Sequence, residues 1–493
     1  MTKKIEYLSH AKRFLQFLID DMGEGNWLKR RESLRHKIEL FESKISPSNG
    51  PIEFQMFPAP DNDIIWYMFL VDIQGKDLCS DHSFEAHRIL PFFASIGERI
   101  DNFSEVNGVT HIIKKLTSEN SSNTDKILFE LLVATLYLRN GYNIEFIKET
   151  PPIKQPDIKI VTDDGRDFYV ECKRVSRKGE YSSIEESTWD FIWKELSKTM
   201  LSTNKNYWVD ITFKKELNEV SPNKVIGAFK RLHISGCGPS GMKFYSSSFD
   251  MVLHRVNQVK LTSHFAQNLV KPLTPQIHDL IFGNVDANEK RSTACLAKKI
   301  ERYGNQNSVL NIFIDNLKLC AGAQWRCTDT QSTFKRAKHF KSIAGRAAQQ
   351  IPQEGLGIIH IIYETNEGPN VEIKRREKNI SAFNGFSSNN TIGIFLHGVH
   401  FYPMTDHFEW AETLSEYSIT ENLQSIIFEK PLLLDFDMQG EAGITGETHW
   451  EQDIKNRVFF KINNSVFCTG YYNMLFILKG SALLRSLLIN YPS

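Results

Sequence analysis

The chain has 493 residues, too many for one hydrophobic core, and its 41% hydrophobic and 24% charged content is that of a soluble folded protein of two to four domains. Lysine plus arginine equals aspartate plus glutamate at 59 each, so net charge steers the protein toward neither nucleic acid nor membrane, and a polyanion site has to be a local patch. Seven cysteines without a CxxC pair give neither a disulfide framework nor a zinc signature, which fits a reducing compartment.

The opening "MTKKIEYLSHAKRFLQFLIDD" reads as an amphipathic helix rather than an export signal, so a cytoplasmic protein is expected. The longest apolar run, "IIWYMFLV" at 64–71, is far below the ~18 residues of a membrane span, and no membrane partner is expected. Helix-period patterns dominate residues 1–115, read as a helical N-terminal domain. After the polar stretch "TSENSSNTD", Thr124 is a candidate N-cap for "DKILFELLVATLYLRNG", which closes at Gly141. That helix is apolar except at its ends and at Glu130. Three short strands follow ("YNIEFIK", "PDIKIV", "FYVECKRV"), then a helix around "STWDFIWKELSKTML" and a strand "YWVDITF". Residues 116–215 thus form one α/β unit. Residues 216–345 are mixed α/β without a clear boundary. Residues 346–493 read as a β-rich region with strands such as "TIGIFLHGVHFY" and "RVFFKIN" and a terminal helix "YNMLFILKGSALLRSLLI".

The second and third strands meet at an Asp-Asp-Gly turn, and their alternation fixes the register. Ile160 opposite Phe168 and Ile158 opposite Val170 match apolar to apolar. The same register sets Asp157 opposite Glu171 on the other face, with Lys173 beside them. Two like charges ~4 Å apart repel by roughly 4 kcal/mol at an effective dielectric near 20, and a cation between them reverses the sign. Oxygen donors with room for water suit Mg²⁺ or Mn²⁺, and Lys173 stands where it could hold a metal-bound water. Glu130, an acid inside an apolar helix next to these strands, needs a partner if it is buried.

Pro156-Asp157, Glu171-Cys172-Lys173 and a glutamate on the preceding helix resemble the PD-(D/E)XK nuclease superfamily, over about a fifth of the chain. The resemblance implies a restriction-endonuclease-like core, a mixed sheet flanked by helices, carrying a helical N-terminal domain and a mixed α/β C-terminal region. It also implies metal-dependent phosphodiester hydrolysis. Asp157, Glu171 and the Cys172 backbone carbonyl would bind Mg²⁺ or Mn²⁺, Lys173 would position the attacking water, and Glu130 would support a second metal or orient the lysine. The family's second helix and fourth strand fall either at 188–213, the shorter connection and the preferred one, or at 333–351 plus "GIIHIIYE", which makes 180–330 an insertion.

Nucleic acid, DNA ahead of RNA, is the partner this implies, with a homo-oligomer or protein partner left open. Candidate phosphate contacts are Arg174, Arg177 and Lys178 beside the site, and Lys335, Arg336, Lys338 and Lys341 on a basic helix at 333–351. The competing expectation is a catalytically silent binding platform on the same fold. "GCGPSG" at 236–241 matches GxGxxG but lacks the following helix, and reads as a turn. His397 and His400, three residues apart on a strand, with His407 beyond, read as packing rather than a metal site.

Overall fold

The computed structural model describes residues 2–44, 52–53, 63–74, 84–118, 123–150, 154–162, 165, 167–177, 179–236, 241–270, 275–282, 292–297, 300–304, 312–317, 319–402, 409–419, 428–434 and 448–452. The expected strand "RVFFKIN", the terminal helix "YNMLFILKGSALLRSLLI", Lys178 and His407 lie outside them.

Helices fill the first part of the chain: α1 (Thr2–Met22), α2 (Glu24–Lys44), α3 (Ile64–Asp72), α4 (Phe84–Glu98), α5 (Ile100–Phe103), α6 (Val109–Thr117) and α7 (Thr124–Arg139), with a two-residue strand β1 (Ile52–Glu53). Next come β2 (Asn143–Phe146), β3 (Ile158–Val161) and β4 (Phe168–Arg174). A long middle stretch holds α8 (Glu180–Ser202), β5 (Tyr207–Phe213), α9 (Pro222–Ser235), β6 (Met242–Tyr245), β7 (Phe249–Arg255), α10 (Gln258–Phe265), α11 (Pro275–Phe282), β8 (Ser292–Ala297), β9 (Ile300–Gly304), β10 (Ile312–Leu317) and β11 (Cys320–Cys327). The last described elements are α12 (Thr330–Arg336), α13 (Lys341–Ala348), β12 (Gly357–Glu364), α14 (Pro369–Asn384), β13 (Thr391–Tyr402) and β14 (Glu409–Ser418).

Two mixed six-stranded sheets organise these elements. The first has the order β14-β13-β12-β4-β3-β2. β2, β3 and β4 are antiparallel neighbours, whereas β12 runs parallel to both β4 and β13. The hairpin has the expected register, Ile158 with Val170 and Ile160 with Phe168. The second sheet, β1-β8-β11-β5-β7-β6, is built mainly from the middle stretch, around its own core of Trp189, Ile192, Leu196, Phe213, Phe229 and Trp325.

Two expectations are corrected here. The strand that continues the first sheet is β12, not "YWVDITF", which is β5 and pairs with β7 and β11 in the second sheet. The residues between β4 and α13 are therefore an insertion between neighbouring strands, and the α/β unit does not close at residue 215. The physical reason is burial on two faces. β12 is buried at every position from Gly357 to Tyr363, as a central parallel strand must be, while β5 alternates buried and half-buried residues. The expected basic helix at 333–351 is likewise two short helices, α12 and α13, interrupted at Ala337–Phe340, where Asn379 of α14 accepts the Phe340 backbone N–H at 2.9 Å.

The N-terminal helices share the core of the first sheet. α1, α3, α4, α6 and α7 bury their apolar residues with Val170 and Cys172 of β4, Ile358 and Ile362 of β12, and Val399 of β13. Tyr7 of α1 stacks on Trp410 of β14 at 5.4 Å. α3 is buried along its whole length. On the opposite face, α13 and α14 cover Ile359, Ile361 and Tyr363 of β12 and Ile394 and Leu396 of β13. No helix among the described residues is long and apolar enough to cross a membrane.

Gly236 follows α9 with φ +81° and Gly241 precedes β6 with φ +80°, and the expected "GCGPSG" turn between them lies outside the described residues. Gly141 has φ +80° directly after α7, where a left-handed residue ends a helix.

Candidate functional site

The site is assembled where α7 crosses the start of β3 and the end of β4. Asp157 immediately precedes β3 and is held by backbone bonds on both sides. Its N–H donates to the Val170 carbonyl at 3.1 Å, and its own carbonyl accepts from Ile147 N at 3.0 Å. Its side chain is fixed too, because Oδ2 accepts the Cys172 backbone N–H at 2.7 Å. Glu171 is fully buried on β4, and Glu130 is 2% exposed on α7.

Lys173 forms an ion pair with Glu171 Oε1, while Glu171 Oε2 is buried without a hydrogen-bond partner. Burial first, and the negative charge of Asp157 second, push the carboxyls of both Glu130 and Glu171 up to about 8. Asp157 acts on both glutamates, and Lys126 Nζ reaches both Glu130 and Asp157, so the three acids share one electrostatic neighbourhood. The four residues expected from the sequence to act together are thus gathered here. Among the described residues, no three His, Cys, Asp or Glu side chains make a ready-formed metal-binding group.

One member was not anticipated. Lys126, one turn before Glu130 on α7, places its Nζ 3.1 Å from Glu130 Oε1, 3.5 Å from Asp157 Oδ1 and 3.8 Å from Glu149 Oε1. Burial works against its charge, but Asp157, Glu130 and Glu149 outweigh burial and raise its pKa above the ordinary lysine value. The available signal was the Lys126–Glu130 spacing of four, which puts both side chains on one helix face. The side chains of Lys126 and Lys173 are 33% and 21% exposed, against 3% and 0% for Glu130 and Glu171, so the lysines mark the solvent side of the site.

Behind the site lies a second charge cluster that was also not anticipated. Arg88 of α4 bonds Asp125 at 2.7 Å and Glu364 at 2.9 Å. Arg174 bonds the same two acids at 2.9 and 2.8 Å. Arg177 reaches Glu85 at 3.1 Å and the Tyr67 hydroxyl at 3.2 Å. Burial opposes the charge of Asp125 and Glu364, yet Arg88 and Arg174 overcome it and hold both carboxyls down at about 2. Arg174 and Arg177, expected to face a phosphate backbone, have their charges matched inside the protein.

The other expected phosphate contacts are dispersed. Lys335 pairs with Glu216 at 2.7 Å, and Arg336 is buried and donates to the Cys327 carbonyl at 3.1 Å. Lys341 donates to the Gly385 carbonyl at 3.0 Å. The Lys338 side chain is 60% exposed, 3.9 Å from Glu180.

His397 belongs to a buried polar chain running Tyr137 hydroxyl, His360, His397, Glu412, with steps of 3.1, 3.0 and 2.9 Å. Glu412 in turn accepts the backbone N–H groups of Leu433 and Leu434 at 3.0 Å each. His400 packs against Tyr402 and His449. Cys172, Cys320 and Cys327 are free thiols, all buried. Comparison of the chain with protein-family models, with curated proteins and with solved structures finds no match.

Proposed function

We propose that the chain is a metal-dependent nuclease that hydrolyses phosphodiester bonds of nucleic acid, DNA ahead of RNA, at the site formed by Glu130, Asp157, Glu171 and Lys173. The observation that carries this reading is the convergence of three buried acids and a largely buried lysine at the mouth of the first sheet. Support also comes from topology. Helix α7, the antiparallel β2-β3-β4, helix α13 and a strand parallel to β4 follow one another in the order that the PD-(D/E)XK resemblance implies, with 179–336 set between its third strand and second helix.

The donor set fits a hard divalent cation. Asp157, Glu171 and the Cys172 carbonyl offer oxygens alone, and Glu171 Oε2 is a buried acceptor with no hydrogen bond to satisfy it. Mg²⁺ or Mn²⁺ would be held by these groups, with Glu130 serving a second ion. Such an ion neutralises a phosphate oxygen and acidifies a bound water. Lys173 lies on the solvent side, where its ammonium can hold the attacking water and offset charge building on the phosphate. Cys172 N–H fixes the Asp157 carboxylate so that Oδ1 faces the other charged groups. Restriction, phage defence and repair in the cytoplasm are settings that suit this activity.

The test is cleavage of plasmid DNA, linear DNA and RNA by the full chain with Mg²⁺, Mn²⁺ or EDTA. Metal-dependent cutting should fall by about 100-fold or more in Lys173→Ala and in Asp157→Asn, with circular dichroism unchanged. A Lys173→Ala protein that cuts as well as the parent would sink the assignment. Binding without cutting by the parent would instead identify a silent platform.

A further inference from the structure

Lys126 is not part of the acid-acid-lysine motif, yet its ammonium lies between the acids. Nζ is 3.1 Å from Glu130 Oε1 and 3.5 Å from Asp157 Oδ1, with Glu149 Oε1 at 3.8 Å. The Glu130 and Asp157 carboxylates are the ones that the nuclease reading assigns to divalent ions. Lysine has three donors and no acceptor, so it can bridge several carboxylates without imposing a fixed geometry. It is also able to leave. Its side chain is one-third exposed on a flexible four-carbon stem, while Glu130 and Asp157 are anchored by a helix and by the Cys172 N–H.

We propose that the Lys126 ammonium is a built-in competitor of the divalent ion. It holds Glu130 and Asp157 together before a metal arrives, and it must swing toward solvent for the ion to enter. The inference rests on the nuclease reading of the site. In this arrangement the metal-free acids are kept folded and assembled by a monovalent side chain, and a doubly charged ion enters by displacing it. Lys115, 3.3 Å from the other oxygen of Glu149, continues the row of positive charge outward and keeps Glu149 paired when Lys126 departs.

The experiment measures Mn²⁺ binding to the full chain without nucleic acid, by electron paramagnetic resonance of free Mn²⁺ and by thermal shift. Lys126→Met and Lys126→Gln should bind Mn²⁺ at least tenfold more tightly than the parent. Both should melt lower than the parent in EDTA and gain more from added Mn²⁺. Lys126→Arg, which keeps the charge, should bind no more tightly than the parent. If the Met variant does not fold in EDTA, the Gln variant, which keeps a donor near Glu130, supplies the comparison. Unchanged or weaker Mn²⁺ binding in the neutral variants would overturn the proposal. Asp157→Asn separates this from the underlying reading: Mn²⁺ binding that survives Asp157→Asn would mean the ion sits elsewhere and the nuclease site itself is misassigned. Binding lost in Asp157→Asn but not strengthened by Lys126→Met would refute only the competitor role.

Discussion

Arg88→Met is the sharpest probe of how the N-terminal helices hold the first sheet. Arg88 is 4% exposed and reaches Asp125 on α7 and Glu364 at the end of β12, with Glu85 at 3.3 Å and the Tyr67 hydroxyl at 3.2 Å. Methionine fills the aliphatic part of the space but leaves two buried carboxylates short of a partner. Removing one member of a buried ion pair costs about 3–5 kcal/mol, because the remaining charge stays out of water. Arg174 still bonds both acids, so the lower end of that range applies. For a unit of 150–250 residues each kcal/mol corresponds to roughly 2–4 °C, so the transition of the first sheet and its helices should fall by on the order of 10 °C. The second sheet, with its separate core, should melt unchanged.

The acid limb supplies an independent readout. Asp125 and Glu364 are held at about 2 in the folded chain, below the ordinary carboxylate value of about 4, so the folded state binds fewer protons than the unfolded state. Their contribution is complete above about pH 4.5 and is lost as pH falls toward 2. Taking away Arg88 raises both folded pKa values, so the variant should begin to lose stability at higher pH than the parent. Calorimetry from pH 3 to 7 measures both effects. A transition within 2 °C of the parent at pH 7, with an unchanged acid limb, would refute the claim that this cluster ties α4 to α7 and β12.

The site acids should act in the opposite sense. With folded carboxyls at about 8, above the ordinary glutamate value of about 4.3, Glu130 and Glu171 retain protons that the unfolded chain releases, so stability in EDTA should fall as pH rises from about 5 to 8. Urea melts across that range should show the slope, and Glu130→Gln should flatten part of it; a parent profile that is level or rising would contradict the burial of these acids. Gly97 of α4 lies so close to α1 that an added Cβ would sit 1.9 Å from the His10 carbonyl oxygen. Gly97→Ala should therefore push α1 off α4 and cost about 1–3 kcal/mol in a thermal or urea melt, and a neutral result would mean that the two helices are not in backbone contact.

What the sequence could and could not disclose follows from the range of each interaction. The β3-β4 hairpin was legible because its partners are a few residues apart and its apolar alternation admits one register. Glu130 stood out because a charge inside an apolar helix demands a partner. The continuation of the sheet was not legible by strand character alone, since "YWVDITF" and "GIIHIIYE" are both strands and a parallel crossover has no upper length. The second nonetheless carried a signal that a preference for short connections set aside. Ile358, Ile359, Ile361 and Ile362 occupy both faces of the strand, and such a segment needs a layer of helices on each side. The first sheet supplies that, with α7 and the N-terminal helices on one face and α13 and α14 on the other. Arg174 and Arg177 were harder. Their acid Glu364 lies 190 and 187 residues away in sequence and is brought beside them by the pairing of Ile362 with Arg174. A basic tail after a strand looks the same whether it faces a phosphate or a buried carboxylate, and the choice is made by the strand that arrives after the insertion. The site and its scaffold are thus joined by one chain of contacts: β12 pairs with β4, Glu364 at the end of β12 bonds Arg88 and Arg174, both arginines bond Asp125 at the start of α7, and the same helix carries Lys126 and Glu130 to Asp157.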